Sequence, residues 1–118
     1  MLDIEFYEKE DGTEPVKDFL DGLDIKMRAK MHLSIELLRN NGYQLREPYS
    51  KTLDDGILEL RAKAGNNISR VLYFFIVGNK AVLTNGFIKK TVKTPKNEIE
   101  RAKRYRADYL SRKENQHD

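Results

Sequence analysis

The sequence predicts a small α+β domain with helices laid on a sheet. Three observations carry this. Residues 13–42 hold two helical patterns with almost no gap between them, residues 57–88 hold three strand-like runs in close succession, and a last helical pattern follows Pro95. Two helices joined that tightly form a hairpin, and a hairpin with one apolar stripe needs a sheet to lie on.

Each element is justified by its own spacing. Leu2, Ile4 and Phe6 alternate with Asp3, Glu5 and Tyr7, the period-two signal of a short, half-buried strand near an edge. Asp11-Gly12 marks a turn, Thr13 is the expected N-cap, and Pro15 suits the first turn of a helix because the amide hydrogen it lacks has no intrahelical partner there. Val16, Phe19, Leu20 and Leu23 give that helix an apolar face that ends near Gly22. Asp24 then caps a longer helix to about Asn41, with Met27, Met31, Ile35 and Leu38 on one stripe and Gly42 as its stop. Its polar face carries Lys26, Arg28, Lys30 and His32, and His32 reads as a solvent-facing residue with no acid or second histidine at a useful spacing. Tyr43 to Asp55 reads as an irregular connection, held down by Leu45, Tyr49 and Leu53 and closed by the Asp54-Asp55-Gly56 turn.

The second half begins with Ile57 to Ala64, where Leu58, Leu60 and Ala62 face one way and Glu59, Arg61 and Lys63 the other. Glu59 and Arg61 are therefore expected side by side on a sheet surface. Ile68 to Val77 is apolar on both faces, so this strand is expected to be central and covered on both sides. Gly78-Asn79 is a hairpin turn, and Lys80 to Ile88 pairs back, with Gly86 marking a bulge or a close backbone approach. Thr94-Pro95 reads as cap and first residue of the last helix, Glu98 as the partner that closes a capping box. Ile99, Ala102, Tyr105 and Tyr109 then face inward and Arg101, Lys103, Arg104 and Arg106 outward. Residues 1–112 form one domain in this reading, with 113–118, including His117, a polar tail.

Composition bounds the function. The absence of cysteine excludes disulfides, thiolate metal sites and a cysteine nucleophile. The longest apolar run, Val71 to Val77, is far short of a membrane helix, and MLDIEFYEKE lacks the order of a signal peptide, so the expectation is a soluble, cytoplasmic protein. The net charge of +3 hides a split: residues 1–60 hold 8 Lys/Arg against 14 Asp/Glu, residues 61–118 hold 14 against 5. A basic half of that strength draws polyanions. Its densest part is Lys89 to Lys96, four lysines in eight positions with no acid. Arg70 stands out differently, as a guanidinium inside the most hydrophobic strand. It is either an end-of-strand residue reaching solvent or pairing with Glu59, or an arginine held at the sheet margin to grip a phosphate. The walk finds no Gly-rich phosphate loop, Ser-His-Asp order, zinc spacing or paired acids, which leaves chemistry dominated by charge stabilisation.

Taken together, GILELR, SRVLYFF and GFIKKTVKTPKNEIERAKRY at these separations resemble the RelE/ParE superfamily of toxin-antitoxin toxins, in its phage-derived Gp49-like or HigB-type branch. The resemblance covers nearly the whole chain. It implies an α+β, RelE-like fold, with an N-terminal strand and a helical hairpin packed on a mostly antiparallel sheet and a C-terminal helix. It implies a ribosome-dependent endoribonuclease that cuts translated mRNA in the A site by attack of a 2′-hydroxyl on the adjacent phosphate, without a metal or other cofactor. The partners implied are the ribosome, mRNA and a helix-turn-helix, HigA-like antitoxin in a hetero-oligomer; no membrane is involved. On that expectation Arg61 and Arg70 stabilise transition-state charge, Lys90 and Lys89 hold the phosphates, and Glu59 removes the proton or orients Arg61. Lys93, Lys96 and Lys63 contact RNA backbone. The histidines that some HigB relatives use and the C-terminal tyrosine of RelE have no counterpart here. Two alternatives are a ParE-like inhibitor of DNA gyrase, which shares the fold, and an RNA- or ribosome-binding module without turnover.

Overall fold

The computed structural model of the chain describes residues 1–89 and 93–115. In order these form β1 (Asp3–Phe6), α1 (Pro15–Asp21), α2 (Ile25–Asn41), a short 3-10 turn (Gly42–Gln44), β2 (Ser50–Asp54), β3 (Ile57–Ala64), β4 (Asn67–Ile76), β5 (Lys80–Lys89) and α3 (Lys96–Asn115). The five strands make one sheet in the order β1-β5-β4-β3-β2. Only β1 runs parallel to its neighbour, β5; every other pair is antiparallel. The fold is therefore α+β and RelE-like, with a mostly antiparallel sheet and a C-terminal helix.

The helical hairpin covers one face of the sheet and α3 the other, so the centre of the sheet is buried twice. Val16, Leu20, Met27, Met31, Ile35 and Leu38 from the hairpin pack with Leu60, Val71, Tyr73 and Leu83 of the sheet. On the opposite face Ala102 and Tyr109 of α3, with Ile99 and Tyr105, pack with Ile57, Leu72, Phe74 and Val82. This two-sided cover is why β4 carries apolar residues at both parities. Each buried aliphatic side chain contributes roughly 1.5 to 3 kcal/mol against exposure.

The helix boundaries follow local chemistry. The Asp24 carboxylate accepts from the Met27 amide at 2.8 Å, and Gly42 ends α2 at a φ of 56°. Thr13 is not the cap of α1. Glu14 holds that position without a side-chain bond, while the Thr13 hydroxyl and amide both donate to the Asp11 carboxylate, at 2.7 and 3.0 Å. An aspartate two residues upstream offers a closer acceptor geometry than the helix does. Thr94 differs as well: α3 starts at Lys96, the Thr94 hydroxyl donates to Glu59, and the Glu98 carboxylate accepts from Asn85 and Arg101.

Four other readings change. Residues 50–54, expected to be irregular, form edge strand β2, whose sequence SKTLD buries only Ser50 and so shows no apolar period. Its turn into β3 puts Asp55 at φ 50° and Gly56 at 78°, the two positive values a tight hairpin needs. The bulge in β5 falls at Thr84, skipped between the pairs Leu72–Asn85 and Tyr73–Leu83. Gly86 marks the close approach: a Cβ there would lie 2.3 Å from the Phe19 ring. Tyr7, expected on the polar side of β1, is buried at 3% exposure under α3, stacked 4.7 Å from Tyr105 and donating to Asp108 at 2.5 Å. Finally α3 runs on to Asn115, past residue 112.

Candidate functional site

The α3-facing side of the sheet carries a charged cluster at its centre. Strand alternation sends Glu59, Arg61 and Lys63 of β3 to this face, and the register sets Arg61 opposite Arg70 of β4 and Arg70 opposite Phe87 of β5. One rung further toward the sheet end, Lys63 pairs with Ile68 and Ile68 with Lys89. Two arginines and two lysines from three adjacent strands thus lie on neighbouring rungs.

Glu59 organises them. It is not on a surface, as expected from the sequence, but at 0% exposure. Its Oε2 accepts from Arg61 Nε at 2.5 Å and its Oε1 from the Thr94 hydroxyl at 2.5 Å, while Arg70 Nη1 lies 3.6 Å from Oε1. A buried carboxylate with both oxygens engaged is a structural anion that orients its partners. Arg70 is also at 0% exposure and so does not reach solvent at the sheet margin; it pairs with Glu59. Burial lowers its pKa, the Glu59 charge opposes that, and the neighbouring Arg61 adds to it. Arg61 is the outermost of the three, its side chain 18% exposed. Its Nη2 is itself buried and has no hydrogen-bond acceptor among the described residues, so the exposed part of the side chain lies elsewhere on the group.

The lysines complete the picture. Lys63, Lys89, Lys93 and Lys96 are exposed, and among the described residues none has a carboxylate partner. Lys90 and His117 lie outside the described residues. Of the α3 cations expected to face outward, Arg104 is exposed and in no ion pair among the described residues, while Arg101, Lys103 and Arg106 are half-buried and paired. Lys103 pairs with Asp54 at 2.7 Å, Arg106 with Asp55 at 2.8 Å, Arg101 with Glu98 at 2.9 Å and Arg112 with Asp108 at 2.7 Å. Much of the positive charge of α3 is therefore paired, while the sheet-end lysines have no carboxylate partner among the described residues. His32 is exposed on α2, as expected.

Beside Arg61 opens a cleft of about 530 Å³, whose lining includes Lys30, Leu33, Tyr49, Arg61, Lys63 and Ile68. Tyr49 is 45% exposed and Leu33 66%. Sequence reasoning missed Tyr49 and Lys30 as site residues, because they come from the 43–55 connection and the hairpin and only the fold brings them to β3. It also missed Thr94, whose TP context reads as a helix cap. Among the described residues no group of His, Asp or Glu is placed to hold a metal ion, and no helix is long and apolar enough to cross a membrane.

A mostly antiparallel sheet between a helical hairpin and a basic C-terminal helix is the architecture of the RelE-like fold. The family model of the phage derived protein Gp49-like family (DUF891) matches residues 18–107, and the chain belongs to that family, a toxin-like family related to RelE. The matched span contains Glu59, Arg61, Arg70 and Thr94. Membership brings with it an antitoxin as partner. No curated protein matches the chain.

Proposed function

We propose that this protein is the toxin of a type II toxin-antitoxin pair and acts as a ribosome-dependent endoribonuclease on mRNA being translated in the A site. The observation that carries the reading is Arg61: its Nε is fixed on a buried carboxylate while its side chain stays partly exposed, beside exposed lysines that have no carboxylate partner among the described residues. A guanidinium oriented that way is preorganised for phosphate oxygens.

Attack of a ribose 2′-hydroxyl on the adjacent phosphorus forms a 2′,3′-cyclic phosphate and breaks the bond to the 5′-oxygen of the next nucleotide, which leaves as a hydroxyl; solvent water takes the 2′ proton and supplies the one that the 5′-oxygen gains. The pentacoordinate transition state carries extra negative charge on its non-bridging oxygens. Arg61 meets that charge, and Arg70 supports it through Glu59, which orients Arg61 and is too enclosed to take the proton. Lys63, Lys89, Lys90, Lys93 and Lys96 hold the flanking backbone, and Tyr49 offers a ring in the cleft for a base to stack on. The remaining partners follow: the ribosome, and a HigA-like antitoxin that covers the cationic end in a hetero-oligomer in the cytoplasm. Residues 1–112 act as one toxin domain.

The test is primer extension on a reporter mRNA after brief expression of the chain, beside Arg61→Ala. Cuts within translated codons, lost in the variant and lost when initiation is blocked, are expected. Growth arrest with intact mRNA would overturn the nuclease and leave a gyrase-type protein target; intact mRNA without arrest would leave a binding module.

A further inference from the structure

Lys89 is the last residue of β5 and Lys96 the first of α3. Between them the sequence carries the densest run of positive charge in the protein, and Lys93 and Lys96 stand on either side of Thr94. At the β5 end the position of Lys89 is set by the ladder, where it pairs with Ile68. Near the α3 end the chain is held by Thr94. This residue is 7% exposed, and its hydroxyl donates to Glu59 Oε1 across 35 positions of sequence.

We infer that Thr94 is a positioning residue that fastens the entry to α3, with Lys93 and Lys96, to the same buried carboxylate that orients Arg61. Glu59 divides its two oxygens between the two tasks: Oε2 takes Arg61 Nε and Oε1 takes the Thr94 hydroxyl, each at 2.5 Å. The distance from the lysines to the arginine is thereby fixed through one rigid group on β3. The sequence around Thr94 suits this use. Pro95 biases the residue before it to an extended backbone, and a β-branched side chain has few rotamers, so the hydroxyl is aimed with little freedom to lose. An O–H donor on an ionised acceptor is also among the stronger hydrogen bonds available to a neutral side chain. Lys93 and Lys96, which flank Thr94, stay exposed, as a clamp that presents cations requires.

The inference rests on the nuclease reading for its consequence but not for its structural content, and the test separates the two. Thr94→Val removes the hydroxyl at nearly constant shape, and Thr94→Ser keeps it. Limited trypsin digestion of the full chain reads the clamp directly: cuts after Lys89 and Lys93 are expected to be about tenfold faster in Thr94→Val than in wild type. Thr94→Ser is expected to match wild type. In ribosome-stimulated cleavage of a defined mRNA, Thr94→Val is expected to lower kcat by about tenfold, as misplacement of a positioned group does, with restoration in Thr94→Ser.

Unchanged nicking in Thr94→Val, or a Thr94→Ser variant as labile as the valine, overturns the clamp whatever the activity. Faster nicking with unchanged kcat overturns the positioning role. Absence of cleavage by the wild type strikes the nuclease reading, and the nicking comparison then decides the clamp alone. If Thr94→Val fails to fold, Thr94→Ala supplies the same comparison with Thr94→Ser.

Discussion

The two faces of the sheet are built from different chemistry. Beneath the hairpin the contact is mainly aliphatic and aromatic, from Val16 and Leu20 across to Leu60, Val71 and Leu83, and its buried polar groups are the neutral hydroxyls of Ser34, Ser50 and Ser69. Beneath α3 the apolar patch is smaller and shares the face with buried or half-buried polar groups: Glu59, Arg70, Asn85, Tyr7 with Asp108, and Glu5 with Lys80 and Tyr109. Burying charge is costly unless each group is paired, and here pairing fixes the groups in orientation. One face supplies cohesion. The other spends some of it to hold a cationic site rigid.

The largest effect should come from breaking that pairing. Glu59→Ala leaves Arg61 and Arg70 adjacent and without their shared anion, so the expected loss is on the order of 3 to 5 kcal/mol. Urea unfolding measures it, and a loss below about 1 kcal/mol would mean that the cluster is not held by its carboxylate. Nearly as large is Leu60→Ala on the opposite face, expected to cost about 3 kcal/mol because Leu60 is wholly buried in the hairpin cluster. The contrast sharpens with activity: the folded fraction of Leu60→Ala keeps its specific cleavage rate, while that of Glu59→Ala does not.

A third expectation concerns only the α3 face. Tyr7 and Tyr109 both have their pKa pushed up to about 12, first by burial and then by hydrogen bonds to Asp108 and Glu5. The folded state keeps both phenolic protons where the unfolded chain loses them, so this stability is present below about pH 10 and is lost as pH rises toward 12. The expected loss across that window is on the order of 2 kcal/mol per tyrosine. Replacing both by phenylalanine should flatten the dependence. A slope that persists in the double variant would assign the effect to other groups.

The difference between the faces also explains how far the sequence could be read. Periodicity identified the hairpin stripe, the double-sided β4 and the inward residues of α3, because each depends on apolar spacing alone. It did not identify β2, which is held by backbone pairing to β3 and buries little. Nor could it show that Glu59 lies inside rather than on a surface: alternation assigns a face, and only the later arrival of α3 and Thr94 decides whether that face is covered. Arg70 was conspicuous in sequence, yet its partner and its burial follow from register with β3. The lysines were legible as charge. That Lys103, Arg106 and Arg101 of α3 are met by Asp54, Asp55 and Glu98, while Lys63 and Lys89 have no carboxylate partner among the described residues, depends on contacts across the fold.

That last distinction yields the smallest effect on stability and a clear one on binding. Lys63→Ala and Lys89→Ala remove exposed cations with no carboxylate partner among the described residues, so each should change unfolding free energy by less than about 0.5 kcal/mol. Lys103→Ala removes the partner of Asp54 and should lower stability more than either, though only slightly, since that pair is solvated. RNA binding should order the three the other way. For a single-stranded RNA, the slope of log K against log salt should flatten by about 0.7 for each sheet-end lysine removed and stay unchanged for Lys103, whose charge is already met within the protein. An equal change of slope in all three variants would mean that RNA responds to net charge alone. A flattening confined to Lys63 and Lys89 would locate the nucleic-acid contact at the end of the sheet beside Arg61.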